Sequence, residues 1–225
     1  MIRSLSIGAA ALLAALLLFS VASRNSATAA VTVPNPVVDD ALAAAKGTRT
    51  LVVAGGCFWG IQAVFEHVKG VTRATAGYSG GTAKTAEYEI VSSGTTGHAE
   101  SVEVVYDPSQ VTLGQLLKVF FSVAHDPTEL NRQGPDEGTQ YRSVIFYADA
   151  GQQKITNAYI EQINQAKVFR RPIATQVVAL TKFYPAEAYH QDYAVKHPDE
   201  PYIAINDLPK VEHLRQQCPD LYRNK

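Results

Sequence analysis

From residue 50 onward the chain alternates short apolar runs with segments of helical spacing. Residues 50–54 read as a short buried strand that ends at Gly55-Gly56. Residues 58–68 then place Phe58, Ile61, Val64 and Phe65 on one side of a helix. Residues 101–106 alternate as a strand, and Asp107-Pro108 stops it. Thr112-Leu113-Gly114-Gln115 has the form of a capping box, opening a helix through Leu116, Leu117, Phe120 and Phe121. An apolar strand over 142–147, a helix over 151–167, a β-rich run over 173–180 and a terminal helix over 208–217 complete the pattern. Strands and helices intermingle without strict alternation and without an internal repeat. This predicts an α+β fold, a two-layer mixed β-sheet with flanking helices around a ferredoxin-like or α/β-roll core.

The first 48 residues do not share that pattern. Met1 and Arg3 open a short basic start, an apolar run covers residues 7–19, and small residues fill 27–30. This is the three-part form of a secretory signal peptide over residues 1–30. The apolar run is short of the roughly 20 residues a spanning helix needs; an uncleaved membrane anchor is the alternative. Export, with a periplasmic location, is the expectation. Residues 31–48 read as a flexible lead-in, and residues 49–225 as one domain.

Composition narrows the function. Twenty basic residues face 21 acidic ones, so no charge field argues for nucleic acid or an anionic membrane. Two cysteines are too few for a disulfide scaffold or a four-thiolate zinc site. A small enzyme or binding domain is what this leaves; a monomer without a bound metal is the expectation.

The chemistry gathers around Cys57. A strand, two glycines, the cysteine and then a helix put the thiol at a helix N-terminus, where free backbone N–H groups and the macrodipole favour a thiolate. A thiol so placed is a candidate nucleophile. Cysteine counting alone favours a bridge between Cys57 and Cys218, because exported proteins usually pair their cysteines. Phe58 and Trp59 follow the thiol and could wall off a small apolar group. Glu100 shares a strand face with Val102, Val104 and Tyr106. If that face is the buried one, desolvation raises its pKa and makes it a general acid near neutral pH; otherwise it caps the strand end in water. His98 could share the face or be structural. Tyr78, Tyr88, Tyr141, Tyr189 and Tyr193 lie in or beside polar loops that could form a pocket around the thiol.

Five ordered segments carry a resemblance. Gly56-Cys57-Phe58-Trp59-Gly60, Gly77-Tyr78-Ser79-Gly80-Gly81, Gly97-His98-Ala99-Glu100, the stretch Asp136 to Ser143, and Tyr189-His190-Gln191-Asp192-Tyr193 resemble the peptide methionine sulfoxide reductase A family. The resemblance implies reduction of the S epimer of methionine sulfoxide, free or in oxidised proteins, on a mixed α+β fold. It implies Cys57 as nucleophile, Phe58 and Trp59 around the S-methyl group, Glu100 as proton donor, and Tyr88 and Tyr141 hydrogen-bonding nearby. It further implies that Asp136 positions the substrate, that Tyr189 lines the site, and that no cofactor is bound. The sulfenic acid left on Cys57 must then be reduced by a second thiol. Many relatives carry a cysteine in a Gly-Tyr-Cys context, where this chain reads Pro201-Tyr202-Ile203. Cys218 is the one other thiol and a candidate resolving cysteine, and an external thioredoxin-like protein is the expected reductant. Two rival classes remain at this point: a different thiol enzyme, either a peroxidase or a Cys/His acyl hydrolase using His98 or His190, and a non-enzymatic exported domain with a structural disulfide.

Overall fold

The computed structural model describes residues 31–225, so the leader expected over 1–30 lies outside the described residues. In chain order the principal elements are β1 (Arg49–Ala54), α1 (Phe58–Glu66), β2 (Val71–Ser79), α2 (Tyr88–Val91), β3 (Ala99–Tyr106) and α3 (Leu113–Val119). They continue with β4 (Arg132–Gln133), β5 (Asp136–Glu137), β6 (Val144–Tyr147), α4 (Ala150–Gln165), β7 (Gln176–Ala179), β8 (Phe183–Pro185), α5 (Tyr193–Lys196) and α6 (Leu208–Gln217). Six strands form one mixed sheet in the order β7-β6-β1-β3-β2-β8. Only the β6–β7 pair is parallel. The predicted α+β architecture is the one observed.

The centre of the sheet is its most apolar part because both faces are covered. Leu51 and Val53 of β1 face the large core, where α1, α3 and α4 supply Phe58, Ile61, Phe65, Leu116, Leu117, Ile155 and Tyr159. Val52 and Ala54 face the other way, into a small cluster with Ala99, Val144 and Phe146. Thr112 makes the expected capping box: its Oγ1 accepts the Gln115 N–H, and Gln115 Oε1 accepts the Thr112 N–H at 2.9 Å. The helix that follows continues as a π-helical turn over Phe120–Ala124.

Several predicted boundaries move, for local reasons. β3 begins at Ala99, two residues earlier than expected, so Glu100 lies inside the strand, opposite Tyr78 of β2. β2 itself is absent from the sequence reading. Its buried apolar side chains are Val71 and then Ala74, Ala76 and Tyr78, and the register slips between Val71 and Arg73. The slip breaks the alternation that would reveal a strand. Of the β-rich run 173–180, only Gln176–Ala179 pairs, as an exposed parallel edge.

The lead-in 31–48 forms no helix or strand, but it makes specific contacts with the domain. Val33 is buried in the main core. The Tyr159 hydroxyl donates to the Pro34 carbonyl at 2.6 Å. Asp39 accepts the Gly114 N–H at 2.8 Å and the Thr112 hydroxyl, so it adds to the cap of α3. A polar segment that satisfies a helix N-terminus can be ordered without secondary structure of its own. Among the described residues no helix is long and apolar enough to cross a membrane.

Candidate active site

Cys57 occupies the N-cap of α1, immediately after the turn that ends β1. Gly56 makes that turn possible: its φ is 96°, and a Cβ there would lie 2.6 Å from Gln133 Cβ. Any other residue would be strained and would displace the loop that covers the thiol. Cys57 is buried, and its thiol pKa is pushed well up, first by burial and then by the carboxyls of Asp207, Glu100 and Asp136. The helix N-terminus favours the thiolate, but in this closed site desolvation outweighs it.

Glu100 lies on the buried face of β3, as the alternation requires, with Val102, Val104 and Tyr106 in the same core. Its Oε2 accepts the Phe58 N–H at 3.1 Å, so the first amide of α1 ties the carboxyl to the residue after Cys57. Burial pushes its pKa up to about 8; the Phe58 hydrogen bond works against this, and the Asp136 and Asp207 charges add to it. At neutral pH Glu100 therefore holds its proton.

Phe58 and Trp59 diverge, as two neighbours on a helix must. The Phe58 ring lies among Trp59, Tyr78 and His190, with centroids at 6.2, 5.9 and 5.0 Å. Trp59 is half-buried and stacks on Tyr193 at 3.9 Å, with the edge of Tyr202 at 6.3 Å. Its indole N–H donates to His190 Nδ1 at 3.2 Å, which fixes the ring plane. The result is an aromatic wall beside the thiol, suited to a small apolar group such as a methyl.

The structure brings most of the remaining candidates together. Tyr88 and Tyr141 both feel the Glu100 and Cys57 charges, and burial raises each phenol pKa. Asp136 sits on the loop over the thiol and accepts the Tyr202 hydroxyl; burial raises its pKa. Tyr189 lies further out, 58% exposed, with its ring 4.1 Å from that of His190.

Cys218 does not join them. It ends α6, where the groups acting on its thiol are Lys118 and Ser122, and where Tyr159 lies near. None of these is among the groups that act on Cys57. Both cysteines are free, so the expected alternative of a structural disulfide is corrected: the two thiols occupy different surroundings. The histidines of the hydrolase alternative are occupied elsewhere. His98 Nδ1 accepts the Gly81 N–H, and its Nε2 meets the Thr82 carbonyl at 2.9 Å. His190 holds Trp59 and flanks Tyr88 at 4.4 Å.

Three contributors escaped the sequence reading: Tyr202, Asp207 and Lys210. Tyr202 precedes a π-helical turn over Ile203–Asp207, whose side-chain spacing matches neither helix nor strand. Ile203 is buried with Ala63 and Ala194, with Trp59 and Tyr202 packed against them. Among the described residues no group of three or more acidic, histidine or cysteine side chains could hold a metal ion.

A buried acid bonded to the amide beside a thiol at a helix N-cap, with an aromatic wall next to it, has the make-up of a thiol oxidoreductase site. Comparison with known proteins identifies which one. Residues 49–221 match the family model described as peptide methionine sulfoxide reductase. The chain is 57% identical over 182 residues to peptide methionine sulfoxide reductase MsrA 2 of Mesorhizobium japonicum, covering 81% of this chain and 93% of that one. It is 53% identical over 190 residues to MsrA 2 of a Synechocystis species, covering 84% and 89%. Its fold is similar to reduced Mxr1 of Saccharomyces cerevisiae, with a TM-score of 0.63 and 33% identity over 73% of this chain and 92% of that one. The chain belongs to the peptide methionine sulfoxide reductase family.

Proposed function

We propose that this protein reduces the S epimer of methionine sulfoxide to methionine, both free and within oxidised proteins, through a sulfenic acid on Cys57. The observation that carries the reading is Glu100, protonated at neutral pH and bonded to the Phe58 amide beside the thiol. A sulfoxide sulfur becomes electrophilic only when its oxygen is protonated or strongly hydrogen-bonded. Glu100 donates that proton, with Tyr88 and Tyr141 as further donors, while Phe58 and Trp59 hold the S-methyl group. Asp136, oriented by Tyr202, positions the substrate, and Tyr189 lines the entrance. The Cys57 sulfur attacks, its proton restores the one Glu100 has given, the S–O bond of the substrate breaks, and the oxygen with its proton passes to Cys57. The products are methionine and the Cys57 sulfenic acid.

Recycling requires two electrons from a thiol. The surroundings of Cys218 support an external dithiol of thioredoxin type attacking Cys57 directly, with water released. A signal peptide over 1–30 and an exported, periplasmic enzyme remain part of the proposal, resting on the sequence pattern alone. The test is incubation with racemic methionine sulfoxide and dithiothreitol, followed by chiral analysis. Consumption of the S epimer alone is expected; loss of both epimers equally, or of neither, overturns the reading.

A further inference from the structure

The mechanism leaves one buried ionic group next to the thiol unused. Asp207 is fully buried at the N-cap of α6, but its side chain caps nothing. Instead Oδ1 accepts from Lys210 Nζ at 3.0 Å, and Oδ2 accepts no hydrogen bond among the described residues. A buried, half-satisfied carboxylate is costly and needs a reason to persist.

Its seat is built for it. Gly60 lies one turn along α1 from Cys57, and a Cβ there would sit 2.1 Å from Asp207 Oδ1 and 2.8 Å from Lys210 Nζ. The missing side chain lets the pair rest against the backbone of the helix that carries the thiol. Lys210 and Cys57 line one small cavity, together with Asp136, Tyr202 and Asn206. From this geometry we propose that Asp207, paired with Lys210 and seated on Gly60, is a positioning and specificity-determining residue that keeps Cys57 a neutral thiol until a sulfoxide is bound.

The inference rests on Cys57 being the nucleophile. Other groups that face Cys57 are Glu100 from β3, Asp136 from β5, Tyr88 from α2 and Tyr193 from α5. Tyr141 and Tyr202 complete the ring. Glu100 and the phenols hold their protons at pH 7, so the ionisable groups left to act on the thiol are Asp136 and the Asp207–Lys210 pair; burial raises the pKa of both carboxyls, and Lys210 opposes this at Asp207. Asp207 stands first among the charges acting on the thiol. A nearby carboxylate disfavours a second anion.

Specificity follows from what each oxidant demands. A peroxide needs a thiolate: the sulfur takes one oxygen, the O–O bond breaks and hydroxide leaves with both bonding electrons. A sulfoxide needs acid at its oxygen, which Glu100 supplies. Withholding the thiolate therefore suppresses the first reaction more than the second. Oxidation that would otherwise consume the resting enzyme is slowed.

The experiment follows alkylation of Cys57 by iodoacetamide against pH in the full chain, read on the Cys57 peptide by mass spectrometry. Asp207→Asn should lower the midpoint by about one pH unit or more, so that alkylation at pH 7 is about tenfold faster. Loss of Cys57 to hydrogen peroxide should accelerate by a similar factor. Because Asp207→Asn leaves Lys210 buried and unpaired, the double variant Asp207→Asn/Lys210→Gln removes both charges and guards against misfolding; a smaller shift in the same direction is expected. Unchanged midpoints in a folded variant, with sulfoxide reduction intact, overturn the inference alone. Sulfoxide reduction persisting in Cys57→Ser overturns the reading beneath it.

Discussion

Glu100 and Cys57 share one influence, burial, with opposite consequences for their chemistry. Burial keeps the proton on Glu100, which a donor needs, and keeps it on Cys57, which a nucleophile must lose. Replacing Glu100 by Gln preserves shape and removes the proton, so single-turnover reduction should fall roughly 100-fold or more. In the wild type that rate should decline as pH rises through about 8, where Glu100 ionises. Stability follows the same proton. The folded state holds it up to about 8 while the unfolded chain releases it near 4.5, so the folded state binds more protons between those values. Stability contributed by this group is therefore lost as pH rises through that window, and Glu100→Gln should flatten the fall in Tm between about pH 5 and 8. At this scale much of the site could be read from the chain. The setting of Cys57 and the strand face that Glu100 shares follow from spacing, the burial of that face and the roles of the neighbouring aromatics come only with the family resemblance, and Asp207 and Lys210 are not found at all. Their partner is the absent side chain of Gly60, and the chain alone does not say what fills such a gap.

Between elements, the turn from β1 to α1 does the most for function. Gly56 sets the direction of the chain and lets Gln133, which lines the same small cavity as Cys57, pack against the turn. Gly56→Ala should depress activity through a misplaced Cys57, with a loss of stability visible in thermal melts. The α3 cap is a cleaner test of folding energetics. Thr112→Ala breaks the capping box and the bond to Asp39 at once, for a cost of about 1 kcal/mol in urea unfolding without loss of specific activity. Strongly periodic segments and the capping box were legible in the sequence. β2 was hidden by its register slip, and β8 is only three residues long, ending in Pro185 at the sheet edge. The π-helical turn over Ile203–Asp207 was hidden because no regular period describes it.

Across the whole molecule, the sheet carries Glu100 and the N-cap of α1 carries Cys57, so the two proposed reacting groups sit on different layers, tied where the Phe58 N–H meets the Glu100 carboxyl. The same core sets the acid limit of the fold. His125 is buried between the Phe120 carbonyl and the Ser143 hydroxyl, and burial depresses its pKa to about 4. The unfolded histidine takes up a proton near 6.5, so stability is lost as pH falls from there toward 4. His125→Gln should blunt that acid-side loss in denaturant titrations. The placement of Cys218 at the far end of α6, among Ser122, Lys118 and Tyr159, leaves Cys57 as the one thiol at the reacting centre. The most direct measurement is a single turnover without reductant. Fully reduced protein is mixed with excess S-methionine sulfoxide and dimedone, and the methionine released and the modified peptides are quantified. One methionine per chain, with dimedone on Cys57 and Cys218 still a free thiol, is the predicted result. Methionine release by Cys57→Ser, or dimedone on Cys218 instead of Cys57, would contradict it.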